Sequence, residues 1–234
     1  MGSKAKAALI RSALCLTTAK PRPSPTLFVF PGLKSQPFHD AKDFPWTKAF
    51  EENLDTIRAE YLALKDRQKS SDYVLTGQEH SLHQGQWDWF SYVTKGKRTS
   101  AFEAECPTTA ALLNAVPGFM TSLPFAYAFF SSLQPKSAIK PHSAPCNIRL
   151  RCHFPLWVPK DCGIRVADET REWKEGRAMI FDDSYDHEVW HDGATGERVV
   201  LLFDMWHPDL VPEEREALTQ MFAEAAEKGW LTDK

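Results

Sequence analysis

The chain has 234 residues, 43% hydrophobic and 25% charged, which is the make-up of a folded globular protein rather than a disordered or collagen-like one. Its net charge of -3 is uneven: Lys4, Lys6, Arg11, Lys20, Arg22 and Lys34 all precede the first acidic residue, Asp40, and beyond them acidic residues outnumber basic ones. An acidic body excludes a large electrostatic footprint for DNA or RNA, and apolar runs such as Val199 to Phe203 fall far short of the ~20 residues that span a bilayer.

In chain order, residues 1–37 read as a flexible basic tail punctuated by Pro21, Pro23, Pro25 and Pro31. The opening stretch is either disordered or a targeting segment of mitochondrial type. The ordered body, residues 38–234, begins near Phe38. Phe50, Leu54, Ile57, Tyr61 and Leu64 recur at spacings of four and three, predicting one amphipathic helix over Asp43 to Gln68 with Asp43 as its cap. A short helix is expected over Thr108 to Val116 behind Pro107, and a last one after Pro212, stopped by Gly229. Between them, Phe125 to Leu133, Asn147 to Val158, Ile164 to Val166, Ala178 to Phe181, Glu188 to His191 and Arg198 to Trp206 read as successive strands, which implies an antiparallel barrel or sandwich. Asn147 to Phe154 alternates: Ile148, Leu150, Cys152 and Phe154 on one face, Arg149, Arg151 and His153 on the other. The polar face is either the wet side of a sandwich, which periodicity favours, or the lining of a lumen for a small anion. Five cysteines, an odd number with no CxxC pair, argue for a reducing compartment: the cytoplasm, with mitochondria left open by the basic N-terminus.

His187-Glu188-Val189-Trp190-His191 matches the HExxH pattern of zinc peptidases, a mechanism that requires a helix. Turn-forming residues flank the pattern on both sides and Val189-Trp190 favours strand, so the zinc reading is disfavoured. On a strand, a metal would instead take one of these histidines with a distant one, and His142, in a proline-framed loop, is the best candidate. The position two after His142 is Ala144, not the carboxylate that commonly completes a two-histidine iron site. His80 and His83 read as solvated.

The run PHSAPCNIRLRCHFPLWVPKDCGIRVADETREWKEGRAMIFDDSYDHEVWHD, continued by RVVLLFDMWHPDL, resembles the catalytic domain of the aspartyl/asparaginyl β-hydroxylase family. The likeness extends upstream through CPTTAALL, GQWDWFSYV and DFPWTKAFEENLDTIRAEYL. It implies a mainly β fold with flanking helices, a double-stranded β-helix, and an oxygenase that uses iron(II), 2-oxoglutarate and O2. By that resemblance His142 and His187 are the iron ligands, and the family too lacks the carboxylate after the first histidine. Arg198 with Ser131 would hold the distal carboxylate of 2-oxoglutarate, Arg151 and His153 the end that chelates iron, and Trp87 and Trp89 would flank the substrate. Arg149 lies outside the motif and reads as structural; Asp182 and Asp183 are candidates for orienting His187.

The implied reaction is hydroxylation of an unactivated carbon, foremost the β-carbon of Asp or Asn in a protein or peptide. A lipid or small-molecule substrate on the same fold is the alternative, and a halide-transferring oxygenase and a non-catalytic binding module are the remoter rivals. No nucleic-acid partner and no membrane span are expected, and oligomeric state is left open.

Overall fold

The structure, a computed structural model, describes residues 22–73 and 82–231. Cys15, His80 and the targeting reading of the first residues lie outside the described residues. The strands in chain order are β1 (Phe38–His39), β2 (His83–Gln84), β3 (Trp87–Thr94), β4 (Lys97–Arg98), β5 (Ala128–Leu133), β6 (Ser137–His142), β7 (Arg149–Trp157), β8 (Cys162–Val166), β9 (Glu169–Arg171), β10 (Met179–Phe181), β11 (His187–His191) and β12 (Arg198–Trp206). They form a seven-stranded sheet in the order β1-β10-β7-β12-β5-β3-β4 and a five-stranded sheet in the order β2-β6-β11-β8-β9. All strand pairs are antiparallel. Two facing antiparallel sheets around a lumen make the double-stranded β-helix.

The polar face of β7 points into that lumen, not into solvent: Arg149 and His153 are buried and Arg151 nearly so. The opposite, apolar face explains why. Leu150, Cys152, Phe154 and Leu156 join Phe203, Leu201, Phe130 and Phe90 in a core that helices cover from outside. Those helices are α1 (Thr47–Glu52), α2 (Leu54–Arg67), α3 (Ser100–Glu105) and α4 (Pro107–Asn114). With one face claimed by helices, the charged face has only the barrel interior left to it.

The single helix expected over Asp43 to Gln68 is two. Asn53, at φ -108° and ψ 15°, leaves the helical path, and its side-chain amide donates to the Ala49 carbonyl, so α1 ends and α2 starts afresh. Asp43 sits in a 3-10 turn capped by Asp40. Phe50 from α1 stacks on Phe203 at 5.5 Å, and Tyr61 from α2 meets Phe90 and Phe130 edge-on at 5.9 and 5.2 Å. Burying each such ring is worth roughly 1.5–3 kcal/mol. The hairpin β3–β4 turns at Lys95 and Gly96, both at positive φ, as a two-residue turn matching the strand twist requires. The last helix, α5 (Pro212–Glu227), seats Leu218 and Phe222 against Ile148, Met120 and Phe28.

Residues 22–37, expected to belong to a flexible tail, lie along the barrel instead. Phe28 bridges Cys146 in parallel pairing and meets Phe222 edge-on at 5.6 Å, so the ordered body begins well before Phe38. Among the described residues no helix is long and apolar enough to cross a membrane.

Candidate active site

His142 closes β6 and His187 opens β11, and the register sets them directly opposite each other, with ring centroids 4.2 Å apart. Two residues 45 positions apart in sequence thus become cross-strand neighbours. Each ring is held from behind by backbone, because Nδ1–H of His142 donates to the Lys140 carbonyl (2.8 Å) and Nδ1–H of His187 to the Tyr185 carbonyl (2.9 Å). That tautomer leaves both Nε2 lone pairs available for a metal. Burial lowers the pKa of His187 to about 3, with the neighbouring His142 acting the same way, and burial lowers that of His142 too. Both rings are therefore neutral at pH 7, the form that ligates. The orienting partners are carbonyls rather than Asp182 or Asp183. Among the described residues no cluster of three His, Cys, Asp or Glu side chains surrounds a common point.

These histidines face a cavity of about 240 Å³ whose floor and walls come from β3, β5, β7, β11 and β12. One end is cationic. Arg198 is only 1% exposed, yet its Nε and Nη2 have no hydrogen-bond partner among the described residues; its guanidinium lies 5.2 Å from the Trp173 ring centre. Burial pushes its pKa down to about 10. His153 is buried with neither ring nitrogen partnered among the described residues, and burial, followed by the Arg198 charge, drives its pKa well below the usual value. Ser131 Oγ accepts the indole N–H of Trp87 at 2.9 Å, leaving its own proton free to be donated. Buried charges and rings in native proteins have partners, so this end of the cavity is built for an anion.

The middle of the cavity is charge-balanced. Arg149 donates through Nε and Nη2 to Asp183 (3.2 and 2.6 Å) and through Nη1 to the Phe125 carbonyl. Arg151 makes a bidentate pair with Asp204 (2.8 and 3.0 Å), and the two pairs cross-link through 3.2 Å contacts from Arg149 to Asp204 and from Arg151 to Asp183. Burial alone would raise the Asp183 carboxyl, but the two guanidinium groups outweigh it and hold it below the usual carboxylate range. Arg149, read from sequence as structural, thus lines the cavity and is locked in this quartet. The remaining wall is apolar and aromatic: Trp89 stacks on Phe129 at 4.1 Å, with Leu202 and Tyr127 adjoining. Trp87 and Trp89 both reach this wall.

The structure therefore brings His142, His187, Ser131, Arg151, His153, Arg198, Trp87 and Trp89 around one cavity. Sequence reasoning missed Asp204 and Trp173. Asp204 had a signal: it is the one charge inside the otherwise apolar run Val199 to Met205, and the two-residue period sets it on the face of Arg198. The HExxH pattern lies on a strand, so the helix a zinc peptidase needs is absent there, and His191 does not line the cavity but donates through Nε2–H to the Gly196 carbonyl at 2.9 Å. His83 is half-buried, 3.2 Å from the Tyr73 hydroxyl, rather than solvated.

A double-stranded β-helix with two facing imidazoles and a buried cationic end in one cavity is the class of fold and candidate site the structure defines. Comparison with known proteins then places the chain: the aspartyl/asparaginyl β-hydroxylase family model matches residues 51–208, and the chain belongs to that family. The human aspartyl/asparaginyl β-hydroxylase is 37% identical over 197 residues, covering 82% of this chain and 26% of that protein. Aspartate β-hydroxylase domain-containing protein 2 of Xenopus tropicalis is 34% identical over 209 residues, covering 86% of this chain and 56% of that one. The chain thus spans between about a quarter and just over half the length of these two relatives. More loosely similar is the crystal structure of a 2OG-Fe(II) oxygenase family oxidoreductase from Burkholderia pseudomallei, at TM-score 0.41 and 12% identity over 77% of this chain and 95% of that one.

Proposed function

We propose that the protein is an iron(II)- and 2-oxoglutarate-dependent dioxygenase that hydroxylates an unactivated carbon. The β-carbon of an aspartyl or asparaginyl residue in a protein or peptide is the target its family's name suggests. The observation that carries the reading is the guanidinium of Arg198, buried in the same cavity that His142 and His187 face, with Nε and Nη2 lacking a hydrogen-bond partner among the described residues. A buried cation without a partner is costly unless a ligand supplies the counter-charge, and a dicarboxylate that also chelates the metal supplies it.

The residues present fit both groups. His142 and His187 would hold iron(II) through Nε2, and their Nδ1–H bonds to Lys140 and Tyr185 fix the rings so that no reorganisation is needed on binding. Arg198 and Ser131 would take the distal carboxylate of 2-oxoglutarate, and Arg151 and His153 flank its chelating end. When bound, iron(II) supplies activation of O2, with 2-oxoglutarate as the two-electron reductant that leaves as succinate and carbon dioxide. Around it, Trp89, Phe129 and Leu202 keep water from the reacting carbon, and the Arg149/Arg151/Asp183/Asp204 quartet fixes local charge without protons to exchange. The apolar wall favours, as a second reading, a lipid or apolar small molecule as substrate.

The test is succinate formation from 2-oxoglutarate by purified protein given iron(II) and ascorbate, since uncoupled turnover needs no known substrate. Turnover abolished in His187→Ala is the expected result. Absence of both turnover and 2-oxoglutarate binding in the unaltered protein would overturn the reading.

A further inference from the structure

The stretch at residues 24–37 precedes the segment that the family model matches, residues 51–208, yet its contacts converge on the loop that follows His142 and the loop that precedes His187. After His142, the Ala144 N–H donates to the Asp183 carbonyl at 2.8 Å, tying the first loop to the second, and the Ala144 carbonyl accepts the Thr26 N–H at 3.1 Å. Thr26, Ala144 and Asp183 thus form a three-layer backbone ladder, and the Pro145 carbonyl takes the Leu27 and Phe28 N–H groups at 3.0 and 2.9 Å. Ser24 spans both loops at once: its N–H donates to the Ser184 carbonyl at 2.8 Å and its hydroxyl sits 3.0 Å from that of Ser143, the residue after His142. Further along, the Ser35 hydroxyl bonds Tyr185 at 3.0 Å, and the Pro37 carbonyl accepts the Asp182 N–H at 3.1 Å. Tyr185 supplies the carbonyl that orients His187.

We infer that residues 24–37 form a strap that braces, against each other, the loop leaving His142 and the loop entering His187 at the end of the β6–β11 pair, with Ser24 and Thr26 as positioning residues for the metal site. The physical need is specific to this site. With Ala144 where a carboxylate ligand commonly stands, the two imidazoles at the paired ends of β6 and β11 would hold the metal, with no carboxylate at that position to brace the loops beside them. The buried Ala144 uses its backbone groups as the joint instead, and the strap closes that joint from outside. A change in the strap therefore acts on how firmly the two rings are held rather than on ligand identity.

This rests on the function proposed above, and the experiment separates the two. Cobalt(II), a stand-in for iron(II) that does not turn over, is titrated by calorimetry and visible absorption in the presence of 2-oxoglutarate. The proteins are the full chain, Ser24→Ala combined with Thr26→Pro, and Leu27→Ala as a control on an exposed strap side chain. Circular dichroism confirms that each is folded at the titration temperature. Changing residues that orient metal ligands costs about 10–100-fold in affinity. One layer further out, we expect the double variant to bind cobalt(II) about 3–10-fold more weakly with an altered absorption band, and Leu27→Ala to match the parent. Parent-like affinity and spectrum in the folded double variant would overturn the strap's role, as would equal weakening in Leu27→Ala. If the double variant does not fold, Ser24→Ala alone decides by the same comparison, with Ser24→Thr expected to restore affinity. Failure of the unaltered chain to bind cobalt(II) at all would instead reject the metal-site reading on which the strap depends.

Discussion

Replacing Arg198 with methionine should make the ligand-free protein more stable while disabling it. The guanidinium is 1% exposed and lacks a hydrogen-bond partner at two of its nitrogens, and burial holds its pKa at about 10. At 1.36 kcal/mol per pH unit, that depression corresponds to a folding penalty on the order of 3 kcal/mol. The sign is that of a base whose folded value lies below its unfolded one: the penalty is complete at any pH below about 10 and fades only above it, so it is constant across ordinary assay conditions. Methionine of similar reach removes the charge and keeps much of the packing against Trp173, so the ligand-free melting temperature should rise. The ceiling is about 6–12 °C at 2–4 °C per kcal/mol, lowered by whatever water reaches the guanidinium. Binding should move the other way. A charge-assisted hydrogen bond is worth about 1.5–3 kcal/mol, so 2-oxoglutarate affinity should fall roughly 10- to 150-fold. Thermal melts with and without 2-oxoglutarate and a metal read both quantities in one experiment. A lower ligand-free melting temperature together with an undiminished 2-oxoglutarate shift would refute the argument that Arg198 is held unpaired for an anion.

Other consequences follow from neighbouring groups. Asp182 is buried and its pKa is raised to about 7, chiefly by burial. The unfolded chain ionises first as pH rises from about 4, so stability should fall toward pH 7 by up to about 4 kcal/mol. Asp182→Asn should flatten that slope in urea denaturation followed between pH 4 and 8, and an unchanged slope would show that the carboxyl ionises freely in the fold. Asp204→Ala leaves Arg149 and Arg151 sharing one buried carboxylate and should cost about 3–5 kcal/mol; a loss below about 1 kcal/mol would mean water replaces it. Phe50→Ala empties the space between Phe203 and Phe154 under α1 and should cost about 3–5 kcal/mol by the same measurement, with 2-oxoglutarate affinity unchanged in the folded fraction.

What the sequence discloses of this fold depends on whether the signal is local. β7 is legible because one of its faces is apolar and the other charged, but its direction is not. Whether Arg149, Arg151 and His153 meet water or a lumen is decided by α1 and α2, which arrive from far upstream to cover Leu150, Cys152 and Phe154. β3 and β6 are missed for opposite reasons. Trp87 to Thr94 carries aromatics on both faces, since Trp89 lines the cavity while Phe90 and Tyr92 enter the core, so no alternation marks it. Ser137 to His142 contains Pro141 and little that is apolar, and it becomes a strand because β11 pairs with it.

The site shows the same division more sharply. A pair of histidines joined only by cross-strand register has no spacing rule, so chemistry alone offers His142 as the best distant candidate with no diagnostic weight in the spacing, and the family resemblance supplies the rest. Residues 22–37 lie beyond the reach of both kinds of evidence. They are rich in proline and poor in periodicity, and the family model does not extend to them. What orders them is a set of backbone hydrogen bonds to residues about 120 and 160 positions away, such as Thr26 to Ala144 and Ser24 to Ser184. Backbone donors carry no side-chain signature, which is why a segment that reads as a tail becomes part of the wall behind His142 and His187.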